Sequence, residues 1–82
     1  MRNRKLLEKA LRNPQGLRCE ELKKLAQAFG FRLDRVKGSH HIFNRPGIPE
    51  LLNLQDCAGK AKAYQVRQLL KLVELHNLPL ED

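Results

Sequence analysis

Phe31-Arg32-Leu33-Asp34-Arg35-Val36-Lys37-Gly38-Ser39-His40-His41-Ile42-Phe43-Asn44 is the stretch that decides the fold. Phe31 to Val36 alternates as a strand does, with Phe31 and Leu33 on one face. Lys37-Gly38 supplies a turn, and Ser39 to Asn44 reads as a second strand. Arg45-Pro46-Gly47-Ile48-Pro49 follows as a loop, because proline fixes φ and removes backbone donors. Glu50 to Gln55 gives a third strand, with Leu52 and Leu54 sharing a face. Short connections between successive strands imply an antiparallel meander.

Upstream of this meander, Leu22, Leu25, Ala26 and Phe29 form the apolar stripe of a helix predicted over Leu17 to Phe29. Glu20 and Glu21 suit the positive end of its dipole, and Gly30 is placed to stop it. Leu6, Leu7, Ala10 and Leu11 repeat at helical spacing in a shorter helix, with Asn3 as its N-cap and Asn13 to Gly16 as the turn after it. Downstream, Val66, Leu69, Leu70 and Val73 predict a last helix over Lys60 to His76. Leu78-Pro79-Leu80 is expected to clip against the body, leaving Glu81 and Asp82 to fray. A sheet with one apolar face and two helices with matching stripes make an α+β fold. The expected form is an α-β-β-β-α sandwich: a three-stranded antiparallel sheet with helices on one face, plus a short N-terminal helix. That is the arrangement of double-stranded-RNA-binding domains. Residues 1–82 are expected to form one domain, with 1–14 as an extension.

The 82 residues carry a net charge of +7, which favours polyanionic partners. A chain this short has no room for a deep cavity, so a site on it must be a surface groove. No apolar run approaches the roughly 20 residues of a membrane span, and no secretory signal is visible. Cys19 and Cys57 show no CxxC spacing and are expected as reduced thiols in a cytoplasmic protein. No metal or other cofactor is implied.

Two of the three histidines, His40 and His41, lie in the turn-and-strand motif between Lys37 and Phe43. Histidine has the side chain whose ordinary pKa lies nearest neutrality, so it suits proton transfer. Reaction at a phosphate of a polyanion needs a base to take a proton and cations for the charge on phosphorus. One imidazole can serve as the base, and Lys37, Arg35 and Arg45 are the candidate cations. Successive strand residues face opposite ways, so only one of the two histidines is expected on the open face. Ser39 either positions the imidazole or the phosphate, or simply closes the turn. Gly38 suits a positive φ or a close approach of RNA. Lys60 and Lys62, after Gly59, are read at the start of the last helix, where lysine opposes the dipole unless a phosphate binds there. A solvated charged end is the bland alternative. Phe29, Phe31 and Phe43 are expected in the core, which leaves recognition mainly electrostatic.

Lys37-Gly38-Ser39-His40-His41-Ile42-Phe43, preceded by Gly30-Phe31 and followed by Arg45-Pro46-Gly47, resembles the HicA toxins over residues 16 to 76. That resemblance implies a metal-independent endoribonuclease that cleaves mRNA and is neutralised by a HicB-like antitoxin. It implies a catalytic histidine at His40 where members read Gly-Ser-His, and at His41 where they read Gly-Ser-x-His. His40 completes the commoner form and is the one expected. RNA contacts are expected from Arg35, Lys37, Gly38, Ser39, Arg45, Lys60 and Lys62, and the free toxin is expected to be a monomer. Many members carry histidine near the third strand, where this chain has Leu51-Leu52-Asn53-Leu54. The alternative is a non-catalytic RNA-binding module on the same fold, and further behind it an adaptor that docks an acidic protein.

Overall fold

The computed structural model describes residues 2–81; Met1 and Asp82, the latter expected to fray, lie outside them. Its elements run α1 (Arg2–Arg12), a 3-10 turn (Pro14–Gly16), α2 (Cys19–Ala28), β1 (Arg32–Lys37), β2 (His40–Asn44), β3 (Leu52–Gln55) and α3 (Ala63–His76). The sheet is antiparallel in the order β1-β2-β3, so β2 is central. The α-β-β-β-α order matches the expectation. No helix among the described residues is long and apolar enough to cross a membrane.

The core lies between one sheet face and the helices. Phe31, Phe43, Leu17, Leu22, Leu25, Leu52, Leu54, Leu69 and Val66 are almost wholly removed from water. Burial of this kind contributes roughly 1.5–3 kcal/mol for each large side chain. Phe29 joins this core, so the three phenylalanines are packing residues rather than a stacking platform. Alternation fixes what the sheet shows to each side. With Leu52 and Leu54 turned inward, Asn53 and Gln55 must turn outward.

Element ends follow local chemistry. The carboxylate of Glu21 accepts a hydrogen bond from the Arg18 N–H at 3.0 Å, half of a capping box. That bond, with help from Lys9, holds the Glu21 carboxyl below the usual carboxylate range. Gly30, at φ +90°, closes α2 as expected, and the Phe31 N–H reaches back to Ala26 O. Asn77 takes the same left-handed conformation after α3, and the Leu78 N–H bonds to Val73 O.

Several expectations are corrected. Asn3 is not an N-cap: it lies inside α1 and its Nδ2 donates to Glu81 O at 2.8 Å. Glu81 does not fray, because its N–H also donates to Ala28 O at 2.7 Å. The third strand starts at Leu52 rather than Glu50, whose carboxylate meets His76 Nε2 at 2.8 Å. The last helix starts at Ala63 rather than Lys60. Residues 59–61 lie outside the helix instead, with the Cys19 N–H on Gly59 O, the Ala61 N–H on Leu17 O and a β-bridge between Arg18 and Lys60. The cysteines are not reduced thiols: Cys19 and Cys57 form a disulfide, their Cα atoms 5.8 Å apart.

Gly38 and Ser39 form a two-residue hairpin turn flanked by the paired Lys37 and His40. Gly38 sits at φ +58°, as such a turn demands of its first central residue. A Cβ there would meet nothing within 4 Å, so the cost of a side chain is purely conformational. Gly38→Ala is expected to destabilise the protein by about 1–2 kcal/mol. Urea denaturation checks this, and an unchanged midpoint would refute it.

Candidate active site

The hairpin register assembles a polar surface on the sheet face turned away from the helices. Lys37, His40 and Gln55 pair across the three strands in one row, and Arg35, Ile42 and Asn53 pair in the next. Residues directly opposite in such rows have Cβ atoms about 4.5–5.5 Å apart. Ile42 is only 9% exposed despite facing outward. A bulge between Leu33 and Arg35 shifts the β1 register by one residue. The shift puts Arg35 in the same outward row as Ile42.

His40 is exposed, and its Nδ1 lies 3.2 Å from Asn53 Oδ1 on the neighbouring strand. This leaves Nε2 free to meet a substrate. Lys37 is its direct cross-strand partner, and the Arg35 guanidinium lies 2.7 Å from Asp34 Oδ2. The surface thus offers an imidazole, an ammonium and a guanidinium together, and no carboxylate stands in the two rows.

His41 has a different environment. It pairs with Val36 and Leu54 on the helix side of the sheet and is half-buried. Its Nδ1 is buried without a hydrogen-bond partner among the described residues. The opposite orientation of the two imidazoles follows the strand parity expected from sequence. Nearby, the Asp56 carboxyl is held below its ordinary value, first by a hydrogen bond from Lys23 and then by that lysine's charge, with His41 adding to the effect.

The segment after β3 brings a second group of cations toward the same end of the sheet. The Asp56 N–H donates to Ser39 O at 2.7 Å, which joins this segment to the histidine turn. Lys23 Nζ reaches Asp56 Oδ1 at 2.8 Å, Arg18 Nη2 reaches Ala58 O at 3.2 Å, and the disulfide fixes Cys57 to the start of α2. Lys60 and Lys62 then border a small depression lined also by Cys19, Gln55, Cys57 and Gln65. Gln65 is 4% exposed, and its Oε1 accepts from the Gln55 N–H at 3.4 Å. Lys62 occupies the N-cap position of α3 without a side-chain cap, and the first turn carries no acidic residue. Such an uncapped end with two lysines favours an anion.

Arg45 is placed elsewhere. It follows the far end of β2, where its Nε donates to Phe29 O at 2.7 Å and its Nη1 to Pro46 O at 3.1 Å. A guanidinium on the last carbonyls of α2 complements the helix dipole and ties helix to sheet. The structure therefore gathers Arg35, Lys37, Gly38, Ser39 and His40, with Lys60 and Lys62 alongside. It leaves Arg45 at the other end and His41 on the other face. Asn53 and Gln55 were missed by sequence reasoning. Their signal was present in the alternation of Leu52 and Leu54, which obliges the residues between and after them to face outward.

No curated protein matches the chain. The family described as HicA toxin of bacterial toxin-antitoxin matches residues 19–75, a span that runs from the first residue of α2 to the last turn of α3 and contains the whole sheet. α1 and the 3-10 turn lie outside that span. A match over more than half of the chain, carrying the histidine hairpin at its centre, makes this protein a member of the HicA toxin family.

Proposed function

We propose that this protein is an endoribonuclease that cleaves mRNA without a metal, with His40 as general base, and that a HicB-like antitoxin neutralises it. The observation that carries the reading is the position of His40: exposed on the open sheet face, opposite Lys37, with one ring nitrogen held and the other free. His40 Nε2 takes the proton of the RNA 2′-hydroxyl as that oxygen bonds to phosphorus. Lys37 and Arg35 balance the charge that builds on the phosphoryl oxygens. The bond from phosphorus to the 5′-oxygen breaks, and the leaving oxygen takes a proton from Lys37 or water. The products are a 2′,3′-cyclic phosphate and a 5′-hydroxyl. His41 does not reach this face, so it has no part in the transfer. Lys60, Lys62 and the α3 N-terminus hold the RNA backbone further along.

Incubation of the purified protein with RNA in EDTA tests the reading. Products ending in 2′,3′-cyclic phosphate are expected. Salt-sensitive RNA binding with no cut products would overturn catalysis in favour of a binding module. The lysine assignment has its own measurement. Lys60→Ala and Lys62→Ala should each weaken binding across RNA sequences and reduce the slope of log affinity against log salt by about 1. An unchanged slope in both variants would remove the loop from the RNA interface.

A further inference from the structure

We propose that Asn53 is the positioning residue of His40: its side-chain oxygen accepts the Nδ1 proton and so reserves Nε2 as the base. The inference rests on the reading of His40 as general base and adds the group that selects its tautomer. A neutral imidazole carries one proton, and the nitrogen that holds it is set by the partner of that nitrogen. With Asn53 Oδ1 at 3.2 Å from Nδ1, the proton belongs on Nδ1 and the lone pair on Nε2. The reverse tautomer would point an N–H at the substrate and leave it without a base.

Asn53 is well placed for this role because its own backbone is pinned. Leu52 and Leu54 on either side are 0% and 1% exposed, so β3 cannot shift without opening the core. Across the ladder Asn53 pairs with Ile42, and His40 pairs with Gln55. The contact is therefore the diagonal one, which long side chains span within a sheet. Ile42, on the same face opposite Asn53 and two residues along β2 from His40, is 9% exposed. Gln55, the direct neighbour of His40, is engaged through its backbone N–H with Gln65 Oε1. Among the described residues, Asn53 is the side chain that hydrogen-bonds to the His40 ring.

The test uses the full chain and two variants, Asn53→Leu and Asn53→Asp. Leucine removes the acceptor at similar volume on a surface strand position. Asn53→Leu is expected to lower kcat for RNA cleavage by about 10–100-fold, by analogy with the loss when the orienting partner of a metal-ligating histidine is removed. KM should stay within about twofold, because the phosphate contacts are intact. Aspartate keeps an acceptor oxygen and adds a charge that favours imidazolium, so Asn53→Asp should retain activity at high pH. Its acidic limb in kcat/KM should move upward by about one pH unit.

A second readout is independent of turnover. Imidazole 15N shifts of the wild-type protein above neutral pH should show His40 protonated on Nδ1, and Asn53→Leu should move that proton toward Nε2. A wild-type His40 with its proton on Nε2 would overturn the inference even if cleavage proceeds. So would an Asn53→Leu enzyme within twofold of wild type while His40→Ala is inactive. Absence of RNA cleavage by wild type, with the Nδ1–H tautomer observed, would strike the catalytic reading and leave the tautomer assignment standing.

Discussion

His40→Ala is expected to lower the rate of RNA cleavage by about 10²–10⁴-fold, the range a positioned general base supplies. His41→Ala should stay within about fivefold of wild type. The asymmetry comes from strand parity: neighbouring histidines on β2 emerge on opposite faces, and only His40 shares a face with Lys37 and Arg35. His40 is exposed, so its truncation should leave the melting temperature nearly unchanged and the loss can be read as chemistry. His41 is half-buried beside Val36 and Leu54, with an unpartnered Nδ1. Removing it discards an unsatisfied polar atom and some packing together, so the two effects oppose each other. Single-turnover assays on both variants decide the matter. If His41→Ala proved the inactive one while His40→Ala cut normally, the assignment of the base would be wrong.

The second large effect concerns stability. Replacing both Cys19 and Cys57 with alanine should lower stability by roughly 2–4 kcal/mol, the usual value of a disulfide that closes a loop of this length. The two cysteines are 38 residues apart, and the ring they close contains the rest of α2 and the entire sheet. In a domain of this size each kcal/mol moves the melting temperature by about 4–8 °C, so a fall of about 8–30 °C follows. Cys19 is 4% exposed, so part of the loss could be packing. Dithiothreitol separates the two causes. It should lower the wild-type melting temperature by a similar amount and leave the double variant unmoved. On reduction the Cys57 thiol has Gly59 O and Lys60 O at 3.5 and 3.6 Å to accept its hydrogen bond. A wild-type melting curve indifferent to reductant would show that the bond contributes nothing.

What sequence reasoning reached and what it missed divide along physical lines. Some bounds shift: the turn is Gly38-Ser39 rather than Lys37-Gly38, with Ser39 outside β2, and β3 starts at Leu52 rather than Glu50. The order of the three strands, the hairpin turn at Gly38, the Gly30 stop and the three core phenylalanines each depend on neighbours a few residues away, and these stand in the structure. So does the opposition of His40 and His41, which requires only the two-residue repeat of a strand. The failures are non-local. Lys60 to Lys62 continues the pattern of α3, but Leu17 and Cys19 claim the backbone of residues 59–61 for hydrogen bonds. Asn3 has the chemistry of an N-cap, yet its partner is Glu81 at the other end of the chain. Arg45 was grouped with the other cations by charge, whereas the carbonyl of Phe29 decides where its guanidinium goes. Cysteine spacing carries no sign of a bridge across 38 residues. In each case the deciding partner lies too far along the chain for local periodicity to reveal it.

β1 forms an outer edge of the sheet, and all six of its residues are exposed, including Leu33 and Val36. A bare edge with apolar side chains is a template for strands of other molecules, and bulges and charges are the usual protection against such pairing. Here the bulge at Asp34 interrupts the register, and Arg32, Arg35 and Lys37 supply like charge along the strand. On the proposed reading, Arg35 and Lys37 therefore serve colloidal stability as well as phosphate binding. Neutralising them would remove an anti-aggregation device along with the proposed RNA contact, and RNA bound as proposed would mask the same charges while covering the face that carries them. The edge is left to its bulge and Arg32 only when those two cations are lost and no polyanion takes their place.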